Sequence, residues 1–292
     1  MRRTMLFIPG NNPNMIVNGG LLGSDSLIFD LEDAVSPDEK DAARELVRNA
    51  LATLDFGKCE RIVRINSLDT PYWEEDLRSI LPLKPDAVMP PKVSGAEYIQ
   101  TLDQALTRLE AELGLPQGQT RILALLETAL GVENAYAIAA ASPRMMGLFL
   151  GAEDLTADLR CRRTKESGEI LYARGRLVCA ARAAGIEVYD TPFTDVRDLE
   201  GLEVDAAFAK GLGFSGKACI SPAHIATVNR VFSPSQAEID YARDVFAAIE
   251  EAKRQGKGAI SLRGKMIDAP IVQRARLVLE AAAEIEGVDL HE

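Results

Sequence analysis

Two apolar runs in this chain end on carboxylates. "RILALLE" closes on Glu127, and "MMGLFLGAED" closes on Glu153 and Asp154. A carboxylate is costly to bury without a partner, and carboxylates crowded together raise one another's pKa. A divalent cation removes the conflict. Glu127 and Asp154 supply the hard oxygen ligands that Mg²⁺ prefers, and an octahedral ion held by two carboxylates keeps positions for water and substrate. Arg64, in "RIVRIN", brings a fixed positive charge that grips a carboxylate through two parallel hydrogen bonds. Beside Mg²⁺ it would select a substrate carrying carboxylate and keto or hydroxyl oxygens together. The alternative for Arg64 is a salt bridge to a neighbouring acid such as Glu32. Lys92, in "PPK", either stabilises negative charge or pairs with an acid. Acids after strands also cap helices, and Glu153 or Asp33 can do only that.

These residues need elements that bring them to one place. Short apolar runs begin at Thr4, Ser26, Arg61, Ala87, Arg121, Met145, Glu187 and Lys217, and amphipathic segments alternate with them. "SPDEKDAARELVRNAL" opens with Ser36 as cap and Pro37 in the first turn, and "EILYARGRLVCAARAAG" stops at Gly185. Strands alternating with helices imply a parallel sheet. Eight units fit a closed (β/α)8 TIM barrel better than an open, doubly wound sheet, which is the alternative. In a barrel all strand ends share one rim, which here gathers Asp30, Glu32, Asp33, Arg64, Asn66, Lys92, Glu127, Glu153, Asp154 and Asp190. After Pro222 the pattern changes. "SQAEIDYARDVFAAIEEAKRQ" predicts a long helix, "GKGAISLRGKMIDAP" a loop or short strand pair, and the segment from about Pro270 a last helix. The expected organisation is a barrel over 1–232 and a C-terminal helical extension or lid over 233–292.

Composition excludes several classes. The 292 residues are 47% apolar and 26% charged, as in a globular protein. No run is long enough to span a bilayer, and the apolar stretch of "MRRTMLFIPG" is too short for a signal peptide, so a cytoplasmic protein is expected. The net charge of −11 disfavours nucleic acid, whose binding relies on clustered cations. Only His224 and His291 are available for a histidine-based nucleophilic mechanism, and His291 is penultimate. Cys59, Cys161, Cys179 and Cys219 form no C-x-x-C pair and read as reduced thiols. Phosphate-binding glycine loops are missing. One local positive run, "LRCRRTKESG" with Arg160, Arg162, Arg163 and Lys165, either attracts an anionic carrier or is a solvated loop paired with nearby acids.

The motifs "RRTMLFIPGNNP", "DLEDAVSPDEKDAAR", "VRIN", "PPK", "LLETALGVENA", "GAEDLTADL", "YDTPF", "GFSGKACISP" and "GKMIDAPIV" follow one another along the chain. In that order they resemble the citrate lyase β-subunit family, within the wider group of Mg²⁺-dependent acyl-thioester lyases and aldolases on (β/α)8 barrels. The resemblance spans essentially the whole sequence. It implies that Glu127 and Asp154 bind Mg²⁺ and that Glu127 and Arg64 contact an oxo-acid. In related malyl- and citramalyl-thioester lyases the aspartate of "MID" enters a neighbouring subunit's site. Here that residue is Asp268, and a homo-oligomer, trimer or hexamer, is expected. The implied reaction is cleavage of a citryl thioester, on an acyl carrier protein or CoA, to oxaloacetate and an acetyl thioester. Asp268 is the expected proton donor at the carbon end, with Glu32 a second candidate acting on the hydroxyl. Other citrate lyase subunits are implied as partners. The alternatives are a malyl- or citramalyl-CoA lyase, an aldolase for a free 2-oxo acid, and a non-catalytic carrier-binding scaffold.

Overall fold

Each of the eight apolar runs forms a strand. They are β1 (Thr4–Pro9), β2 (Ser26–Asp30), β3 (Glu60–Arg64), β4 (Ala87–Met89), β5 (Arg121–Leu126), β6 (Met145–Leu150), β7 (Glu187–Asp190) and β8 (Gly216–Cys219). The strands are parallel, pair in sequence order, and close where β8 meets β1. The chain is therefore a (β/α)8 barrel, as expected, and the open sheet is excluded. This computed structural model describes residues 1–255 and 261–286; His291 and the start of "GKGAISLRGKMIDAP" lie outside them.

Barrel strands are covered on both faces, so they read as nearly continuous apolar runs. Met5, Ile28, Ile62, Leu123, Leu125, Phe149, Tyr189 and Ala218 form the interior cluster. The helices of the barrel unit are α1 (Pro13–Asn18), α2 (Lys40–Thr53), α3 (Trp73–Ile80), α4 (Ala96–Glu112), α5 (Ala129–Glu133), α6 (Ala135–Ala139), α7 (Ala152–Asp158), α8 (Leu171–Ala184) and α9 (Leu199–Leu212). Gly185 ends α8 in the left-handed conformation, φ 70°, which glycine adopts without steric cost. Ser36 behaves differently from its expected role. Residues Pro37–Glu39 form a 3₁₀ turn before α2, and the Ser36 hydroxyl donates to Glu39 Oε2 at 3.2 Å rather than accepting from the backbone.

The chain divides into two units, Arg2–Asn229 and Arg230–Glu292, with Met1 assigned to the latter. The division falls within α10 (Ile225–Phe232), where the sequence predicts a boundary at 232/233. In the C-terminal unit α11 (Gln236–Arg254) starts with a capping box between Ser235 and Glu238. A strand pair, β9 (Ser261–Leu262) and β10 (Lys265–Met266), precedes α12 (Ala269–Glu286). Ala242, Val245, Ile267 and Ala275 form this unit's core. Among the described residues no helix is long and apolar enough to cross a membrane.

Candidate active site

The carboxyl ends of the barrel strands surround a cavity of about 540 Å³. Its base is aromatic, with Phe7 and Phe149 packed edge to face at 5.8 Å. Asp30, Asp33, Arg64, Glu127, Glu153 and Asp154 all line it, so most of the acids foreseen at the rim meet in one space.

Arg64 ends β3 in register with Asp30 at the end of β2. Its Nε and Nη2 donate to the two Asp30 carboxylate oxygens at 2.7 and 2.5 Å. The two-pronged grip foreseen for a substrate carboxylate is therefore engaged by Asp30, and the salt-bridge partner is Asp30 before Glu32. Nη1 stays on the other side, 3.3 Å from Glu32 Oε2 and 3.7 Å from Asp33 Oδ2. Burial works against the guanidinium's charge, but the hydrogen bond and charge of Asp30 more than offset it and hold the pKa above its ordinary value. The Asp30 carboxylate also accepts from the backbone N–H of Glu32 and Ala34, at 2.9 and 3.1 Å, fixing the turn that presents Glu32.

Glu127 follows β5 directly and is 3% exposed. Its Oε1 accepts from the Lys92 backbone N–H at 2.9 Å. Burial pushes its carboxyl up to about 8; the negative charges of Asp154 and Glu32 add to the shift, while Arg64 and the Lys92 N–H oppose it. Asp154 sits in the first turn of α7, with its side chain 43% exposed. Between them Gly151 precedes α7, where a Cβ would stand 2.7 Å from Glu127 Oε2 and 2.7 Å from its Cβ. Only glycine leaves Glu127 its place.

Glu32 is bracketed by two cations. Arg64 approaches Oε2, and Lys92 Nζ donates to Oε1 at 2.7 Å. Burial raises the Glu32 carboxyl, with Arg64 and Lys92 opposing. Lys92 is thus paired with an acid. Its Nζ also lies 3.6 Å from Asp33 Oδ1 and 4.0 Å from Asp154 Oδ2.

Among the described residues no three Asp, Glu, His or Cys side chains surround a common ion position. Glu127 and Asp154, the pair expected from the sequence, line one cavity and would suit a hard cation that keeps most of its coordination for water and substrate. A buried carboxyl held up to about 8 beside a second carboxylate is the electrostatic deficit that such a cation would relieve.

Residues 3–222 match the HpcH/HpaI aldolase/citrate lyase family. The chain belongs to that family. It is 48% identical to the citrate lyase subunit beta of Leuconostoc mesenteroides subsp. cremoris, over 99% of this chain and 96% of the relative. It is 36% identical to a (3S)-malyl-CoA thioesterase of Cereibacter sphaeroides, over 97% and 95%. Among solved structures it resembles CitE from Mycobacterium tuberculosis in complex with magnesium, acetoacetate and coenzyme A, with TM-score 0.77, 31% identity and coverage of 97% of this chain and 98% of that one.

Other residues singled out by sequence lie elsewhere in this family member. Asp190, counted among the rim acids, does not face the cavity. It is fully buried, takes two hydrogen bonds from Arg174 at 2.9 and 2.8 Å, and pairs with Lys217 at 2.6 Å. Asp205 on α9 completes this buried quartet. In the loop after α7, Arg163 pairs with Glu153 and Glu169, and Lys165 with Asp195 and Asp198. Arg160 and Arg162 are exposed. His224 is fully buried and outside the cavity wall. The four cysteines are free thiols, with Cys161 and Cys179 exposed. Asp268 belongs to the C-terminal unit, where its Oδ1 accepts from the Ile271 N–H at 3.1 Å and caps α12. Asp30 and Gly151 carry no assigned role in the sequence reading. The register of parallel strands points to the first; the glycine directly before the Glu153–Asp154 turn is the signal for the second.

Proposed function

We propose that this protein is a Mg²⁺-dependent carbon–carbon lyase that cleaves a citryl thioester to oxaloacetate and an acetyl thioester. The observation that carries the reading is the convergence of Glu127, Asp154 and Arg64 on one cavity. The citrate lyase subunit beta relatives supply the substrate class. Glu127 and Asp154 would hold the ion. When bound, it would supply Lewis acidity toward the substrate's hydroxyl and adjacent carboxylate oxygens.

The chain's own groups account for the remaining requirements. Cleavage removes the hydroxyl proton, breaks the carbon–carbon bond, leaves its electron pair on the thioester as an enolate, and delivers a proton to that carbon. Arg64, already oriented by Asp30, presents Nη1 to a substrate carboxylate and stabilises charge as it shifts. Glu32, aimed by Arg64 and Lys92, is the acceptor for the hydroxyl proton. Asp268 is the donor to the enolate carbon, reaching the site of a neighbouring subunit in a homo-oligomer, a trimer or hexamer. Exposed Val204 and Phe208 on α9 and Leu171 and Tyr172 on α8 offer apolar surface for such an assembly, which light scattering of the purified protein measures. An acyl carrier protein or CoA is the thioester carrier. Four free thiols fit a cytoplasmic setting, which cell fractionation checks. The (3S)-malyl-CoA thioesterase relative supports a second reading, a malyl or citramalyl thioester as substrate.

The test is turnover of citryl, malyl and citramalyl thioesters, with oxaloacetate followed by its enzymatic reduction. Mg²⁺-dependent release of oxaloacetate from the citryl thioester is the expected result. Cleavage of malyl or citramalyl thioesters alone would transfer the assignment to the second reading. Full activity in chelator would refute the metal role.

A further inference from the structure

We propose that Lys92 is a positioning residue that keeps the acidic cluster assembled before a divalent cation arrives and thereby weakens the site's affinity for that cation. The inference rests on the proposed Mg²⁺ site and adds a function to a residue outside it. Its ammonium is bonded to Glu32 and stands beside Asp33 and Asp154, so it acts through these carboxylates.

Its backbone is the first observation. Lys92 has φ 54°, the left-handed region that costs any residue other than glycine a steric penalty. Such conformations persist where surrounding interactions hold them. Here the conformation sends the Lys92 N–H to Glu127 Oε1 at 2.9 Å while the ammonium of the same residue reaches Glu32 Oε1 at 2.7 Å. One residue therefore orients two acids that follow different strands, β5 and β2. A glycine would relax the backbone but could supply only the first contact.

The second observation is where the charge stands. The ammonium is 2.7 Å from Glu32, 3.6 Å from Asp33 and 4.0 Å from Asp154, while Arg64 has its fork on Asp30. Without a metal, Lys92 joins Arg64 Nη1 in offsetting the repulsion around Glu32 and Asp33, and it also stands near Asp154. With a metal, the same ammonium sits next to one of the two proposed ligands and repels the incoming ion. Affinity for the free cation is lowered, and the cation binds best together with a substrate whose oxygens complete its coordination.

Calorimetric titration of Mg²⁺ into substrate-free protein tests this, with Lys92→Met and Lys92→Gly compared against wild type. Both keep the N–H that orients Glu127; the glycine variant also removes the backbone strain, so a folding defect cannot mask the result. Each is expected to bind Mg²⁺ at least fivefold more tightly, and to lose at least tenfold in kcat because Glu32 is no longer held. Lys92→Arg is expected to restore wild-type Mg²⁺ affinity and part of kcat. A merely structural role would weaken Mg²⁺ binding along with turnover. Unchanged or weaker Mg²⁺ affinity in both variants overturns the proposal, as does kcat within twofold of wild type. The parent reading fails separately: if wild-type protein binds Mg²⁺ but cleaves no thioester, the substrate assignment falls while the affinities still decide the role of Lys92.

Discussion

Mg²⁺ binding should be strongly coupled to pH, and Glu127 sets the range. Its carboxyl is pushed up to about 8 by burial and then by the charge of Asp154, so in metal-free protein at pH 7 roughly nine in ten molecules carry a proton there. A cation bound at that oxygen must displace it. The apparent Mg²⁺ affinity should therefore fall about tenfold for each pH unit below 8, or ~1.4 kcal/mol per unit, and level off above it. About 0.9 proton should leave per ion bound at pH 7. Titration calorimetry in buffers of different ionisation enthalpy measures both quantities. The same shift governs stability, with a definite sign. Because the folded pKa lies above the ordinary carboxyl value of 4.5, the folded state holds a proton that the unfolded chain has released. Metal-free protein should accordingly lose stability as pH rises from about 4.5 to about 8, by no more than ~1.4 kcal/mol per unit, and saturating Mg²⁺ should cancel the slope. An affinity that is flat from pH 6 to 8, with no proton released, would refute the assignment of Glu127 as a buried ligand.

Three further outcomes follow from the geometry. Gly151→Ala places a methyl 2.7 Å from Glu127 Oε2 and should lower Mg²⁺-dependent kcat/KM at least about tenfold while costing ~1–3 kcal/mol of stability; wild-type kinetics would show that Glu127 need not hold its position. Arg174→Met leaves Asp190 and Asp205 with Lys217 alone. It should cost about 3–5 kcal/mol in urea unfolding, with the surviving folded protein near normal in kcat, and a loss below about 1 kcal/mol would mean that the quartet reorganises freely. Mixing Asp268→Ala with Glu127→Ala protein should restore activity after subunit exchange. Exchange proven by native mass spectrometry without any recovered turnover would rule out a shared site.

Most of the site is legible in the sequence because a parallel barrel turns strand endings into neighbours. Glu127 and the Glu153–Asp154 pair come from β5 and β6, which pair directly, so no long-range guess about packing is required to bring them together. The starts of the eight strands are visible to within one residue, since strands covered on both faces leave apolar runs. The roles of Asp30 and Lys92 are harder to see. Arg64 has three acids within reach, and only the register Asp30↔Arg64 determines which of them takes the fork. The left-handed turn at Lys92 follows two prolines and has no glycine to advertise it.

Asp190 shows that position along a strand is insufficient without its face. Successive side chains on a strand point to opposite sides, and the interior of this barrel is marked by Ile28, Ile62, Leu125 and Tyr189. Two residues beyond these stand Asp30, Arg64, Glu127 and Thr191, and all four line the cavity. Asp190 is one residue from Tyr189 and so points outward, where Arg174 on α8 donates to it and also to Asp205 on α9. Lys217 obeys the same rule, being one residue from the interior Ala218 and bonded to Asp190. The parity of an acid relative to the apolar interior positions thus separates a charge available to a cavity from one that holds helices to the barrel. A Thr191→Asp substitution follows the inward parity and should bring a further carboxylate to the mouth, measurably shifting Mg²⁺ affinity. Asp190→Asn should instead unfold the protein at lower urea and leave the metal affinity of the folded fraction unchanged; the reverse pattern would refute the assignment of faces.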